Sequence, residues 1–175
     1  MSKARSRRRL VPATSGDACG GAVTPASSRS PWLGAALLAA LAVIGLGVAG
    51  YLTAVHYAHT TVVCSSQGAV NCEKVITSAF SVVPGTSLPI TLPGLGFFLI
   101  SLVLALAQLR RPADYGLRQA HAAWAGLGLL TAFYLVFVEL VELRTICLWC
   151  TGVHVVILLT FLLTLWRLHP KPSPG

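Results

Sequence analysis

Charge is what this sequence has least of. Charged residues fill only 10% of its 175 positions, and just five of them are acidic, whereas an ordinary soluble domain carries about a quarter. The scarcity excludes a conventional soluble fold, because the 55% of residues that are hydrophobic gather into long stretches almost free of charge. A bilayer-spanning chain reads this way. Internal repeats are missing, and so is any stretch with the composition of a second, soluble domain. One all-α integral membrane domain is the expectation.

The net charge of +8 would suit nucleic acid, but its placement argues against that partner. Eleven of the 13 basic residues fall in three segments separated by apolar runs. Lys3, Arg5, Arg7, Arg8, Arg9 and Arg29 lie near the N-terminus, Arg110, Arg111 and Arg118 in the middle, and Arg167 and Lys171 at the C-terminus. Only Lys74 and Arg144 lie elsewhere. Basic residues retained in the cytoplasm produce this pattern, and no DNA-binding face is needed to explain it.

Residues 1–31, rich in Ser, Arg, Gly and Pro, read as a disordered basic tail. The apolar run that follows is longer than a signal-peptide core and lacks a persuasive small-residue cleavage site, so it reads as an uncleaved span. A membrane domain over 32–167 is expected to hold four transmembrane helices, at about 32–57, 90–109, 119–141 and 146–166. Residues 168–175 form a second tail, marked by Pro170 and Pro172. Pro93, Gly94 and Gly96 allow close packing or a kink near the start of the second span. The loop between the first two spans is expected to carry a short amphipathic helix around Cys72 to Phe80. With the basic segments in the cytoplasm, both termini lie inside. That loop and the 142–145 turn then lie outside.

Two cysteine pairs thus fall on one membrane face. Cys19 sits alone in the tail and is given no role. Cys147-Leu148-Trp149-Cys150 opens the fourth span. A disulfide between such neighbours closes a tiny loop and constrains little, whereas a helix N-terminus lowers a thiol pKa and favours the reactive thiolate. Redox chemistry is the better reading. Zinc is disfavoured, since no His pair accompanies the cysteines and the surroundings are oxidising. Cys64 and Cys72, taken alone, fit a loop staple as well as an electron carrier. The coexistence of both pairs on one face favours the carrier, because thiol–disulfide exchange moves electrons between pairs through mixed disulfides.

On these residues the chain resembles the vitamin K epoxide reductase family, in its bacterial disulfide-forming branch. The shared features are the loop pair Cys64 and Cys72, Ser78 six residues after the second loop cysteine, Pro89-x4-Gly94 entering the second span, and Cys147-Leu-Trp-Cys150 opening the last. The likeness covers about residues 32–166. It implies a four-helix bundle around a quinone, menaquinone or ubiquinone, with Cys150 nearest the ring and Cys147 exchanging with the loop pair. It also implies that Ser78 orders the loop helix or bonds near the quinone. Many bacterial members carry a fused thioredoxin-like domain. This chain stops at residue 175, so a separate extracytoplasmic thioredoxin-fold, DsbA-like protein is the expected partner. Where the animal enzymes have a quinone-side tyrosine, four residues after the last cysteine, this sequence has His154.

His154 lies one turn from Cys150. Either a quinone contact or a neutral histidine bonding a neighbouring helix explains it. Glu139 and Glu142 are expected to be solvated at the outer interface. His56, Tyr57 and His59, with Trp32, Trp149 and Trp166, suit interfacial anchoring, and Trp149 could also shield a disulfide. The expected activity is a quinone-dependent thiol oxidase of the cytoplasmic membrane. Reduction of a vitamin K quinone or epoxide as the main reaction is one alternative. A non-catalytic membrane scaffold or metal-handling protein with structural disulfides is the other.

Overall fold

A computed structural model describes residues 31–58, 60, 63–64, 70–83 and 85–169. Cys19, His59, Pro170, Pro172, Lys171 and the basic residues before residue 31 lie outside the described residues. Five α-helices follow one another: α1 (Pro31–Ala58), α2 (Cys72–Ile76), α3 (Thr91–Arg110), α4 (Tyr115–Phe137) and α5 (Leu148–Leu168). A π turn at Val138–Glu142 prolongs α4. Four of these segments, Trp32–Ala58, Thr91–Arg110, Tyr115–Glu142 and Leu148–Leu168, are long and apolar enough to cross a membrane, with mean hydropathy between 1.9 and 2.3. The fold is an all-α membrane bundle.

Its packing is inverted relative to a soluble bundle. Large apolar side chains such as Leu99, Val103, Leu130, Phe133 and Leu162 are exposed, while small ones (Ala35, Ala42, Ala49, Ala105, Ala125 and Ala132) are buried. In lipid, hydrophobicity does not drive helices together, so association depends on close backbone approach at small residues. The closest approaches lie at Gly45, where a Cβ would meet the Phe98 ring at 2.2 Å, and at Gly128, where it would meet Phe97 at 2.4 Å. Phe98 joins Ala49, Ala132 and Ile157 in the buried core. Gly94 and Gly96 do not act this way. Nothing lies within 4 Å of a Cβ at either, and α3 runs unbroken past Pro93, because a first-turn proline has no intrahelical N–H bond to lose. Gly45→Ala is expected to cost about 1–3 kcal/mol by overpacking. Gly47→Ala, with open space around it, should cost far less. Thermal unfolding of the two variants in detergent measures the difference.

At one end of the bundle a polar cluster is buried. Gln108 Nε2 lies 3.0 Å from His121 Nδ1, and Arg167 Nη1 donates to Gln108 Oε1. Because unpaired polar groups are costly in hydrocarbon, the three helices α3, α4 and α5 are tied together there. Asp114 accepts from Leu117 N at 3.2 Å and starts α4 at Tyr115, four residues ahead of the Gln119 that the apolar pattern alone marks.

At the other end, Asn71 caps α2 by accepting from Lys74 N at 3.0 Å. The helix expected around Cys72 to Phe80 is shorter, stopping at Ile76 and giving way to a 3₁₀ turn at Ala79–Ser81. The Thr77 hydroxyl donates to Glu73 O and that of Ser78 to Val75 O. Such side-chain bonds compete with continuation of a helix.

Candidate redox site

Backbone contacts bring the loop and the start of α5 together. Val70 pairs with Ile146 in a parallel bridge, and Asn71 N donates to Ile146 O at 3.1 Å. Just beyond these contacts along each segment stand Cys72 and Cys147, 1% and 0% exposed. Lys74 Nζ donates to Leu143 O at 3.0 Å, tying α2 to the turn before α5. Cys64 is joined to Cys72 by a disulfide, with 6.1 Å between their Cα atoms.

The Cys64 end of the loop is held by two aromatic residues. Val63 N donates to the Tyr51 hydroxyl at 3.3 Å, and Trp149 Nε1 donates to Val63 O at 3.0 Å. The two rings pack with centroids 5.1 Å apart. Trp149, expected at the interface or over a disulfide, thus grips the residue next to Cys64. This contact spans 86 positions of sequence and leaves no trace in local pattern.

Cys147 and Cys150 are both thiols. Cys147 is the N-cap of α5, its sulfur accepting from Cys150 N at 3.3 Å. The Cys147 thiol is held below its ordinary range, first by the hydrogen bond from the Cys150 side chain and further by the Cys150 and Trp149 N–H groups. A thiol in this setting is a ready nucleophile.

Glu139 overturns an expectation. Rather than lying solvated, it is 6% exposed, and its Oε2 accepts from Cys147 N at 3.3 Å. The π turn and the reversal after it put it there. Leu143 N donates to Val138 O and Thr145 N to Glu139 O, at 2.9 and 3.0 Å, and Arg144 adopts a left-handed φ of 49°. One extra residue per turn rotates the end of α4, as π turns near functional sites often do. The signal available in sequence was an acidic residue inside an apolar span. Glu142, by contrast, is exposed.

Beside these groups lies an open-sided pocket. Cys150 and His154 of α5, Ser78 of the loop, Glu139 and His56 of α1 all line it, among apolar neighbours that include Leu52, Ile76 and Leu135. Apolar walls with a few converging polar groups mark a small-molecule site. Ser78 also orders its own segment through its bond to Val75 O at 2.7 Å. His56, expected to anchor at the interface, faces the pocket. Thr91, which the sequence did not single out, contributes a buried hydroxyl with no hydrogen-bond partner among the described residues. That hydroxyl, the imidazoles and the apolar walls fit a flat ring bearing carbonyl oxygens.

Comparison with known protein families matches residues 36–165 to the vitamin K epoxide reductase family. That stretch runs from the first turns of α1 almost to the end of α5 and takes in both cysteine pairs. No curated protein matches the chain. Members of the family are membrane-embedded, use quinones in general and generally pair with thioredoxin-fold partners. The chain belongs to the vitamin K epoxide reductase family and is a membrane oxidoreductase of quinone and disulfide chemistry.

Proposed function

We propose that this protein is a quinone-dependent thiol oxidase. It takes electrons from a separate thioredoxin-fold, DsbA-like partner and so drives disulfide formation outside the cytoplasm. The observation that carries the reading is the division of labour within one C-x-x-C. Cys150 lines the pocket, while Cys147 is buried at the start of α5, where the backbone bridge meets the loop holding Cys72. A partner thiolate attacks the Cys64–Cys72 disulfide, Cys72 exchanges with Cys147, and the C-x-x-C passes the electrons on. A quinone bound in the pocket supplies two-electron acceptor chemistry, with Ser78, Thr91 and His154 as groups that hold it. The chain's own contribution is orientation and a low-pKa thiol at a helix N-terminus.

The distribution of charge supports an orientation in the cytoplasmic membrane. Arg110, Arg111, Arg118 and Arg167 belong to the helix ends and loop remote from the cysteines, and only Lys74 and Arg144 flank the cysteine end. Both termini then face the cytoplasm and the cysteine pairs face out.

Purified protein supplied with quinone and a reduced thioredoxin-fold partner is expected to form hydroquinone continuously. Absence of turnover with any such partner would refute the reading. In the same assay His154→Ala should raise the apparent KM for quinone by about tenfold, equivalent to about 1.4 kcal/mol, with exchange between the cysteine pairs unchanged. If KM and kcat both stayed at wild-type values, His154 would be a core histidine and no part of the quinone site.

A further inference from the structure

Among the described residues, Glu139 is the one buried carboxyl group. It sits at the junction of the two features that define the site. Its Oε2 bonds the backbone N–H of Cys147, and its side chain lines the same pocket as Cys150. Burying a carboxyl group inside a membrane span is costly and needs a purpose or a partner. Among the described residues, no cationic side chain bonds it. Lys74 is exposed and committed to Leu143 O, and Arg144 is exposed. The other titratable groups facing the site are Cys147, Cys150 and His154 from α5 and His56 from α1. Neither histidine has a hydrogen bond to the cysteines among the described residues, whereas Glu139 bonds one of them directly.

We infer that Glu139 is a further catalytic residue, the base that carries protons from the Cys147–Cys150 thiols to the reduced acceptor. The inference rests on the thiol-oxidase reading above. Oxidation of a dithiol must release two protons along with two electrons, and one of their two sources, Cys147, is fully buried. The Glu139 carboxylate takes the Cys150 proton. With a quinone in the pocket, the carboxylic acid would give that proton to a quinone oxygen, and the emptied carboxylate would take the Cys147 proton as the Cys147–Cys150 bond closes and two electrons leave the pair for the quinone. This second proton would be delivered likewise. The chain ends as a disulfide with the carboxylate restored, and the quinone has gained two electrons and two protons. Interaction with the Cys150 side chain and a Glu139 charge that opposes the lowering at Cys147 agree with this coupling.

Two measurements on E139Q test it, with the exposed neighbour Glu142→Gln as control. Gln keeps an acceptor for Cys147 N–H, so the fold of the turn is preserved, but it can neither carry the charge nor take a proton. The first measurement uses reduced protein without quinone and follows alkylation of Cys147 by iodoacetamide against pH. Losing the neighbouring negative charge should move the profile to lower pH and speed alkylation near neutrality by on the order of tenfold. The second follows quinone reduction, which should slow by about 10²-fold or more. Faster alkylation with slower quinone reduction is the combination expected, with E142Q like wild type in both. An unchanged alkylation profile overturns the proposal, since the carboxyl then carries no charge at the pair. A wild-type reduction rate overturns it as well, because the protons then leave by another route. Wild-type protein that reduces no quinone would remove the proton step together with the reading beneath it. The alkylation result, obtained without quinone, tells those two failures apart.

Discussion

Replacing Cys150 by alanine is expected to reduce quinone turnover to background, a fall of roughly 10⁴-fold or more, as for other enzymes deprived of a covalent nucleophile. Cys150 is the cysteine that lines the pocket, and Cys147, buried completely at the α5 N-cap, is not placed to replace it. The Cys64–Cys72 disulfide does not depend on Cys150, so one round of partner oxidation should survive in the variant. Quinone absorbance and the partner's redox state, followed in parallel, separate the two steps. Substantial quinone reduction by Cys150→Ala would mean that electrons leave the chain elsewhere.

The second large effect concerns the link between the pairs. The Val70–Ile146 bridge and the Asn71–Ile146 hydrogen bond bring the Cys72 and Cys147 segments together. Tyr51 and Trp149 hold the Cys64 end from the other side. In the proposed relay, Cys72 exchanges with Cys147 and Cys64 meets the partner. In Cys64→Ala/Cys150→Ala the resolving thiols are gone, and a Cys72–Cys147 mixed disulfide should become the dominant species. Protease digestion and mass spectrometry without reduction would recover it as a cross-linked peptide. Both residues persisting as free thiols in a folded protein would rule out this order of transfer.

Much of this architecture is legible in one dimension, because hydropathy, basic-residue placement and cysteine spacing are one-dimensional signals. Long apolar runs become membrane helices whatever their neighbours do, since every backbone polar group must be satisfied within the segment. Positions set by tertiary contact are less legible. Gly94 and Gly96 look like packing glycines, yet the tight contacts fall at Gly45 and Gly128, because helix rotation decides which face meets a partner. Glu139 looks interfacial until one π turn swings it beneath Cys147. Thr91 becomes notable only when its hydroxyl is seen buried beside the pocket, without a partner among the described residues. Ser78 and His154, drawn from resemblance and helical spacing, meet in that pocket with Cys150, across a separation that no local pattern encodes.

If the Cys147–Cys150 dithiol gives its electrons to quinone, the two thiols must disappear within a single turnover. Protein bearing the Cys64–Cys72 disulfide and the two free thiols would be mixed with quinone in the absence of any partner. Thiols would be counted by mass-tagging before and after, in samples quenched with acid and unfolded in detergent. Both Cys147 and Cys150 are expected to become unreactive while hydroquinone forms in equal amount. Thiols that remain fully countable after quinone is added would contradict that transfer.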